Sequence, residues 1–278
     1  MNKLLYILLF PFICLSQNYN DVTQVNRGGT EILSIQKGNV LVWEKPSSID
    51  LTNLKAYYTM ESTANDVYGT YNGTLTGGTW SASGHIGYAF SGDGNQDYIR
   101  TPSDAVFSRG NGTTDSPFSY DGWFKFNNNV QQGWLIDKRN TGTNNQDFDL
   151  QFYETALYFT IFSGGGTINF LKISYTWTPI VGQWYHIAIT YDGSGATTGM
   201  ELYVDGVSVG TKSTTGTYTA MQGNTGAVSI GAFSLQLTST TRAFDGLIDN
   251  VKYWHEELTP EKVEAIRVKE ASGQLITE

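Results

Sequence analysis

The chain has 278 residues and a formal net charge of −9, with 17 Lys and Arg against 26 Asp and Glu. That acid excess, with no cluster of lysine or arginine, argues against a phosphate-tracking nucleic-acid binder or a protein held on anionic lipid by a basic patch. Aromatic residues make up 14%, glycine numbers 31 and proline only 6, a balance that predicts many strands joined by glycine turns in one large all-β domain with little helix.

At the N-terminus Lys3 precedes an apolar run from Leu4 to Leu15, closed by the small residue Ser16. This layout predicts a signal peptide over residues 1–16 and a secreted or cell-surface protein, with an uncleaved apolar anchor as the alternative. The only cysteine, Cys14, falls in this segment, so the mature chain would carry no disulfide or zinc-thiolate chemistry. Residues 17–49 form a hairpin and linker: TEILSIQKGNVLVWE (30–44) turns at 37–39 and runs into Pro46-Ser47-Ser48. A lone hairpin is marginal in water, so it is expected to lean on the main domain or on a partner in a larger assembly. Its KG-x-x-x-VW pattern resembles short hairpins near the start of some phage tail-associated proteins.

Residues 50–278 form the main domain. Strands are predicted at 54–60, 85–91, 97–101, 117–126, 133–138, 147–153, 156–162, 168–175, 226–232 and 244–254, punctuated by Gly77-Gly78, Gly92-Asp93-Gly94 and Gly164-Gly165-Gly166. Between 168–175 and 226–232 lies WYHIAITYDGSGATTGMELYVDGVSVG, where Ile187 and Ile189 share one face and His186, Ala188 and Thr190 the other. Asp205-Gly206 then reads as a two-residue hairpin turn with both φ angles positive. DGNQD (93–97) starts like a calcium loop, but Tyr98 stands where that loop needs glycine, so it reads as a hairpin turn. Thr259-Pro260-Glu261 opens one short C-terminal helix with Val263 and Ile266 on its apolar stripe.

Three stretches carry a family resemblance: LKAYYTMESTANDVYGTYNGTLTGG with YAFSGDGNQDYI, then GQWYHIAITYDGSGATTGMELYVDGVSVG, then FDGLIDNVKYWHEELTPEKVEAI. In order and spacing they resemble the laminin-G-like branch of the concanavalin-A-like lectin and glucanase superfamily. The resemblance implies an antiparallel β-sandwich of jelly-roll type that binds carbohydrate or protein on its concave face or its loop rim. It implies no single activity, because such folds host lectins, adhesion modules, hydrolases and lyases. Many relatives hold a structural Ca²⁺ near the chain ends, which makes Asp66 and Asp249 the candidate ligands here. His186 falls in the W-x-H-I-A pattern, where a scaffold role is the plain expectation.

Alternation then selects a binding face. In FSYDGWFKF, Phe118, Phe124 and Phe126 enter the core and leave Asp121, Trp123 and Lys125 on the other side; in DFDLQFYE, Phe148, Leu150 and Phe152 go inward and leave Asp147, Asp149, Gln151 and Tyr153 outward. If both strands flank His186, a groove forms with aromatic faces for the apolar side of a sugar and polar groups for its hydroxyls. The competing placement is on rim loops near Trp80, Asn140 or Trp177. The E-x-D-x-x-E strand of the superfamily's glucanases is absent; Asp147 and Asp149, about 6.6 Å apart by strand rise, are the nearest substitute, with Phe152 where the third acid belongs. The leading reading is a non-catalytic secreted or surface module that binds a glycan or glycoprotein. The alternatives are a virion host-recognition protein and, behind it, a glycoside hydrolase or polysaccharide lyase.

Overall fold

The structure is a computed structural model that describes residues 24–28, 31–37, 40–44, 48–139, 146–163, 169–234 and 242–277. The signal-like segment with Cys14, Asn140 and the glycines at 164–166 lie outside the described residues. Near the N-terminus, β1 (Gln24–Gly28), β2 (Glu31–Lys37) and β3 (Val40–Glu44) form an antiparallel sheet in that order. The last two are the predicted hairpin. The first strand, QVNRG, has a single apolar residue and so no alternation to announce it.

The main domain is two antiparallel sheets face to face. One runs β17 (Thr211–Thr215), β13 (Asn169–Thr176), β12 (Ala156–Ser163), β11 (Gln146–Glu154), β10 (Gln131–Arg139), β18 (Ser229–Ile230), β8 (Tyr98–Arg100) and β5 (Thr74–Thr76). The other runs β16 (Val207–Ser208), β15 (Met200–Val204), β14 (Trp184–Tyr191), β9 (Phe118–Phe126), β19 (Asp245–Trp254), β7 (Ala89–Asp93) and β6 (Thr79–Ser81), with β4 (Leu54–Tyr58) also paired to β19. We call them the groove sheet and the helix sheet.

The core between them is the predicted one. Phe118, Phe124 and Phe126 face Phe148, Leu150 and Phe152, joined by Ile187, Ile189 and Leu202. Aromatic contacts cross the gap, Phe118 to Phe148 at 4.8 Å and Phe126 to Phe152 at 5.0 Å between ring centroids. The Asp205-Gly206 turn has φ of +49° and +80°, as a mirror-image hairpin requires.

The outer face of the helix sheet departs from expectation. The central strands β9, β14 and β19 are buried almost end to end rather than at alternate positions. The cause is α1 (Pro260–Ala271), capped by the Thr259 hydroxyl on the Lys262 N–H at 3.3 Å. Its Val263 and Ile266 pack with Tyr57, Ala188, Tyr203 and Trp254 into a second apolar cluster outside the sandwich.

Several turns are corners rather than hairpins. The DGNQD segment joins β7 to β8, and Gly77-Gly78 joins β5 to β6, so each carries the chain from one sheet to the other. Asp97 ties both corners, accepting the N–H of Asp93 at 2.9 Å and that of Gly78 at 2.5 Å. Predicted strand 85–91 begins only at Ala89, because Gly84 and Gly87 close a turn ahead of it. Strand 226–232 shrinks to two residues before Gly231, whose φ is +92°. Replacing Asp97 with Ala orphans two N–H donors at once and is expected to cost about 1–3 kcal/mol in denaturant unfolding. Replacing exposed Asp93 with Ala should cost clearly less.

Candidate functional site: two outer faces

The sequence reading placed Asp121, Trp123 and His186 beside Asp147, Asp149, Gln151 and Tyr153. The structure separates them. β9 and β14 belong to the helix sheet and β11 to the groove sheet, so the two sets sit on opposite sides of the sandwich. Alternation fixes which face a residue takes within a strand, and says nothing of which sheet the strand joins.

On the helix sheet, β9 pairs β14 with Trp123 opposite His186, and β19 with Asp121 opposite Lys252. Asp121, His186, Lys252 and Glu270 of α1 are all essentially inaccessible to water. The Lys252 ammonium lies 2.7 Å from Asp121 Oδ1 and 3.0 Å from Glu270 Oε1, and donates to the Asn250 carbonyl at 2.7 Å. The remaining carboxylate oxygens are also satisfied. Trp254 Nε1 donates to Asp121 Oδ2 at 2.7 Å and Trp123 Nε1 to Glu270 Oε2 at 2.9 Å. His186 Nε2 lies 3.2 Å from Asp121 Oδ1. Burial pushes the Asp121 carboxyl up, but Lys252 and His186 beside it hold it below the ordinary carboxylate value. Burial likewise pulls Lys252 down, and its two carboxylates more than offset that.

Oxygen and nitrogen atoms of Asp121, His186 and Glu270 come within 4.8 Å of one another, a spacing that could hold a metal ion. Here the Lys252 ammonium already stands among them as the cation. Trp123 is no sugar platform either: it is 4% exposed, with His85 stacked on it at 3.5 Å. This face is a closed clamp. The sequence signal for it was Glu270, seven residues after Val263 on the helix stripe.

The candidate calcium ligands are placed as follows. The first and last strands of the main domain are indeed neighbours, with Val251 opposite Tyr58. Asp66, however, accepts four backbone N–H bonds, from Tyr57, Tyr68, Gly69 and Tyr71, at 2.9–3.1 Å. Asp249 is buried and accepts from the Ile86 N–H at 3.0 Å; burial pushes its carboxyl up to about 8. Among the described residues, the cluster with metal-like spacing includes neither.

On the groove sheet the outer face is open. Cross-strand pairing sets a row of Trp134, Gln151, Tyr158 and Ser174 on β10 to β13, with Gln132 opposite Tyr153 beside it. All of these but Ser174, with Lys172 and Arg242, line a groove of about 390 Å³. Tyr153 is 39% exposed, so its ring is available to a ligand. Trp134 forms the wall, packed on Phe233 with centroids 4.6 Å apart. Asp149 lies beneath, bonded by the Arg139 guanidinium and by Trp134 Nε1 at 3.3 Å. Tyr158 was findable from sequence, since Leu157, Phe159 and Ile161 of the same strand point inward.

Asp147 departs from the predicted outward face. Lys138 pairs Phe148 and Arg139 pairs Gln146, so Asp147 is the extra residue of a β-bulge. It is buried 3.4 Å from Lys138, which lies opposite the core residue Phe148. The bulge parts it from Asp149, so the two carboxylates flank no common space for a glycosidic bond.

Replacing Lys252 with Met leaves two buried carboxylates without their cation. The expected loss is about 3–5 kcal/mol in denaturant unfolding, far more than an exposed lysine would give.

A family model for the concanavalin A-like lectin/glucanases superfamily, of laminin-G type, matches residues 93–264. No curated protein matches the chain by sequence. Among solved structures, domain 4 of AbnA, a GH43 extracellular arabinanase from Geobacillus stearothermophilus in complex with arabinotriose, aligns at 20% identity and a TM-score of 0.55, covering 76% of this chain and 97% of that one. The binding domain of Paraclostridial Mosquitocidal Protein 1 aligns at 16% identity and 0.59, covering 77% and 52%. A Trypanosoma rangeli sialidase mutant displaying trans-sialidase activity aligns at 12% and 0.58, covering 82% and 35%. The chain thus spans nearly all of the arabinanase domain and about half or less of the other two. At these identities the structural likenesses speak for the fold, and the family match, over more than half of the residues, makes the chain a member of the concanavalin A-like lectin/glucanases superfamily.

Proposed function

We propose that the protein is a carbohydrate-binding module that holds a glycan in the groove on the outer face of its groove sheet. One observation carries the reading: an open groove of about 390 Å³ combines tyrosine rings with side-chain amides, on a sheet whose partner has its own outer face closed by α1. That volume suits one or two sugar units. Tyr153 and Tyr158 offer rings to the apolar side of a pyranose or furanose, and Gln132 and Gln151 offer amides that both donate and accept toward hydroxyls. The arabinanase domain in complex with arabinotriose, of which this chain spans nearly the whole length, supports the same ligand class. A virion or enzymatic role has no comparable feature behind it among the described residues.

Tyr153→Ala and Tyr158→Ala are each expected to weaken binding of the best ligand from a glycan array by about 1–3 kcal/mol, with melting temperature nearly unchanged for the exposed Tyr153. If both variants bind normally while Trp177→Ala abolishes binding, the site is on the rim. Export belongs to the same proposal: secreted material should lack residues 1 to about 16 by intact mass, and a product that keeps Met1 favours an anchor.

A further inference from the structure

We propose that the groove selects an acidic sugar, whose carboxylate or sulfate is held by Lys172 and Arg242. The inference rests on the reading of the groove as a glycan site and deepens it to a ligand class.

The chain carries a net charge of −9, yet the titratable side chains that line this groove are cationic or phenolic. Elsewhere many cations are matched by carboxylates, while half-buried Lys55, Arg109 and Lys125 are satisfied by backbone carbonyls. Lys138 pairs with Asp147, Lys212 with Glu201, Lys252 with Asp121 and Glu270, Lys262 with Glu256, and Arg267 with Glu264. Lys172 and Arg242 have no carboxylate partner among the described residues. The acids nearest the groove floor, Asp137 and Asp149, are fully buried and already share Arg139, whose Nε lies 3.1 Å from Asp137 Oδ1. Both lie below the surface, out of a ligand's reach.

Among the described residues, both cations lie against aromatic rings rather than acids. Arg242 lies over Trp134 and Phe233, at 5.6 and 5.0 Å from the ring centroids. Lys172 lies over Tyr158 and Phe170, at 5.3 and 5.6 Å. Cation–ring contacts fix each head group and leave its N–H donors free for an anion. Lys172 sits opposite Thr160 on β12, in the row next to Tyr158. A sugar resting on Tyr158 therefore brings a ring substituent within reach of the ammonium. A neutral sugar would accept hydrogen bonds from both cations but leave their charge uncompensated. A carboxylate or sulfate gives each a charge-assisted partner, and Arg242 offers the planar fork that suits either anion.

The test is a glycan array in which each uronate-bearing glycan is printed beside its carboxyl-reduced form and each sulfated glycan beside its desulfated form. Retained glycans should be acidic, and neutralising the acid should abolish the signal; the pair that responds tells carboxylate from sulfate. For the best acidic ligand, Lys172→Gln and Arg242→Gln should each weaken half-saturation about tenfold, and added salt should weaken the parent more than either variant. Circular dichroism and melting of each variant confirm that it is folded. Retention of neutral glycans, or equal binding of neutralised partners, overturns the selectivity and leaves the glycan site standing. If no glycan at all is retained, both readings fall.

Discussion

A single buried ammonium organises this molecule. Lys252 projects from the outer face of the helix sheet between Asp121 of its neighbouring strand and Glu270 of α1, so one cation joins sheet to helix. A buried ion pair of this kind brings little net stability over an apolar substitute, because desolvation consumes much of the Coulomb gain. What it supplies is registry. Only one placement of α1 brings Glu270 to the lysine, to Trp123 Nε1 and to the Tyr57 hydroxyl together. With the helix docked, the outer face of that sheet is occupied by protein, and polar groups that resemble a binding site or a metal centre are spent on internal contacts.

The consequence for function is one of exclusion. The sandwich has two outer faces, and α1 closes one of them while the groove lies open on the other. On the groove sheet, pairing of β10 to β13 lines up alternate side chains in rows, which is how consecutive antiparallel strands present Trp134, Gln151 and Tyr158 side by side. The bulge at Asp147 acts in the same place by subtraction, removing one carboxylate from the row and sending it to Lys138. Had alternation run unbroken, the groove floor would carry two neighbouring acids rather than one carboxylate bound to Arg139.

Much of the architecture was legible in particular residues. Phe118, Phe124, Phe126, Phe148, Leu150 and Phe152 announced the core by period-two alternation, and Asp205-Gly206 and Thr259-Pro260 announced a hairpin and a helix start by local chemistry. The outward placement of Gln151 and Tyr153 was legible too, since both line the groove. These features are local: each follows from steric and hydrogen-bonding preferences within a few residues.

Sheet membership is different in kind. Whether Asp93–Asp97 turns back on its own strand or crosses to the facing sheet depends on which partners β7 and β8 find more than a hundred residues later, in β19 and β18. The same distance hides Arg242, which reaches the groove from a separate stretch of chain, and Glu270, which makes a closed clamp of Asp121, Trp123 and His186. The sequence by itself determined the strand pattern, the sandwich class and which side of each strand is apolar, because those follow from a periodicity every strand carries within itself. Only the tertiary structure decided which polar faces meet water, because that depends on the element that comes to lie on top of them.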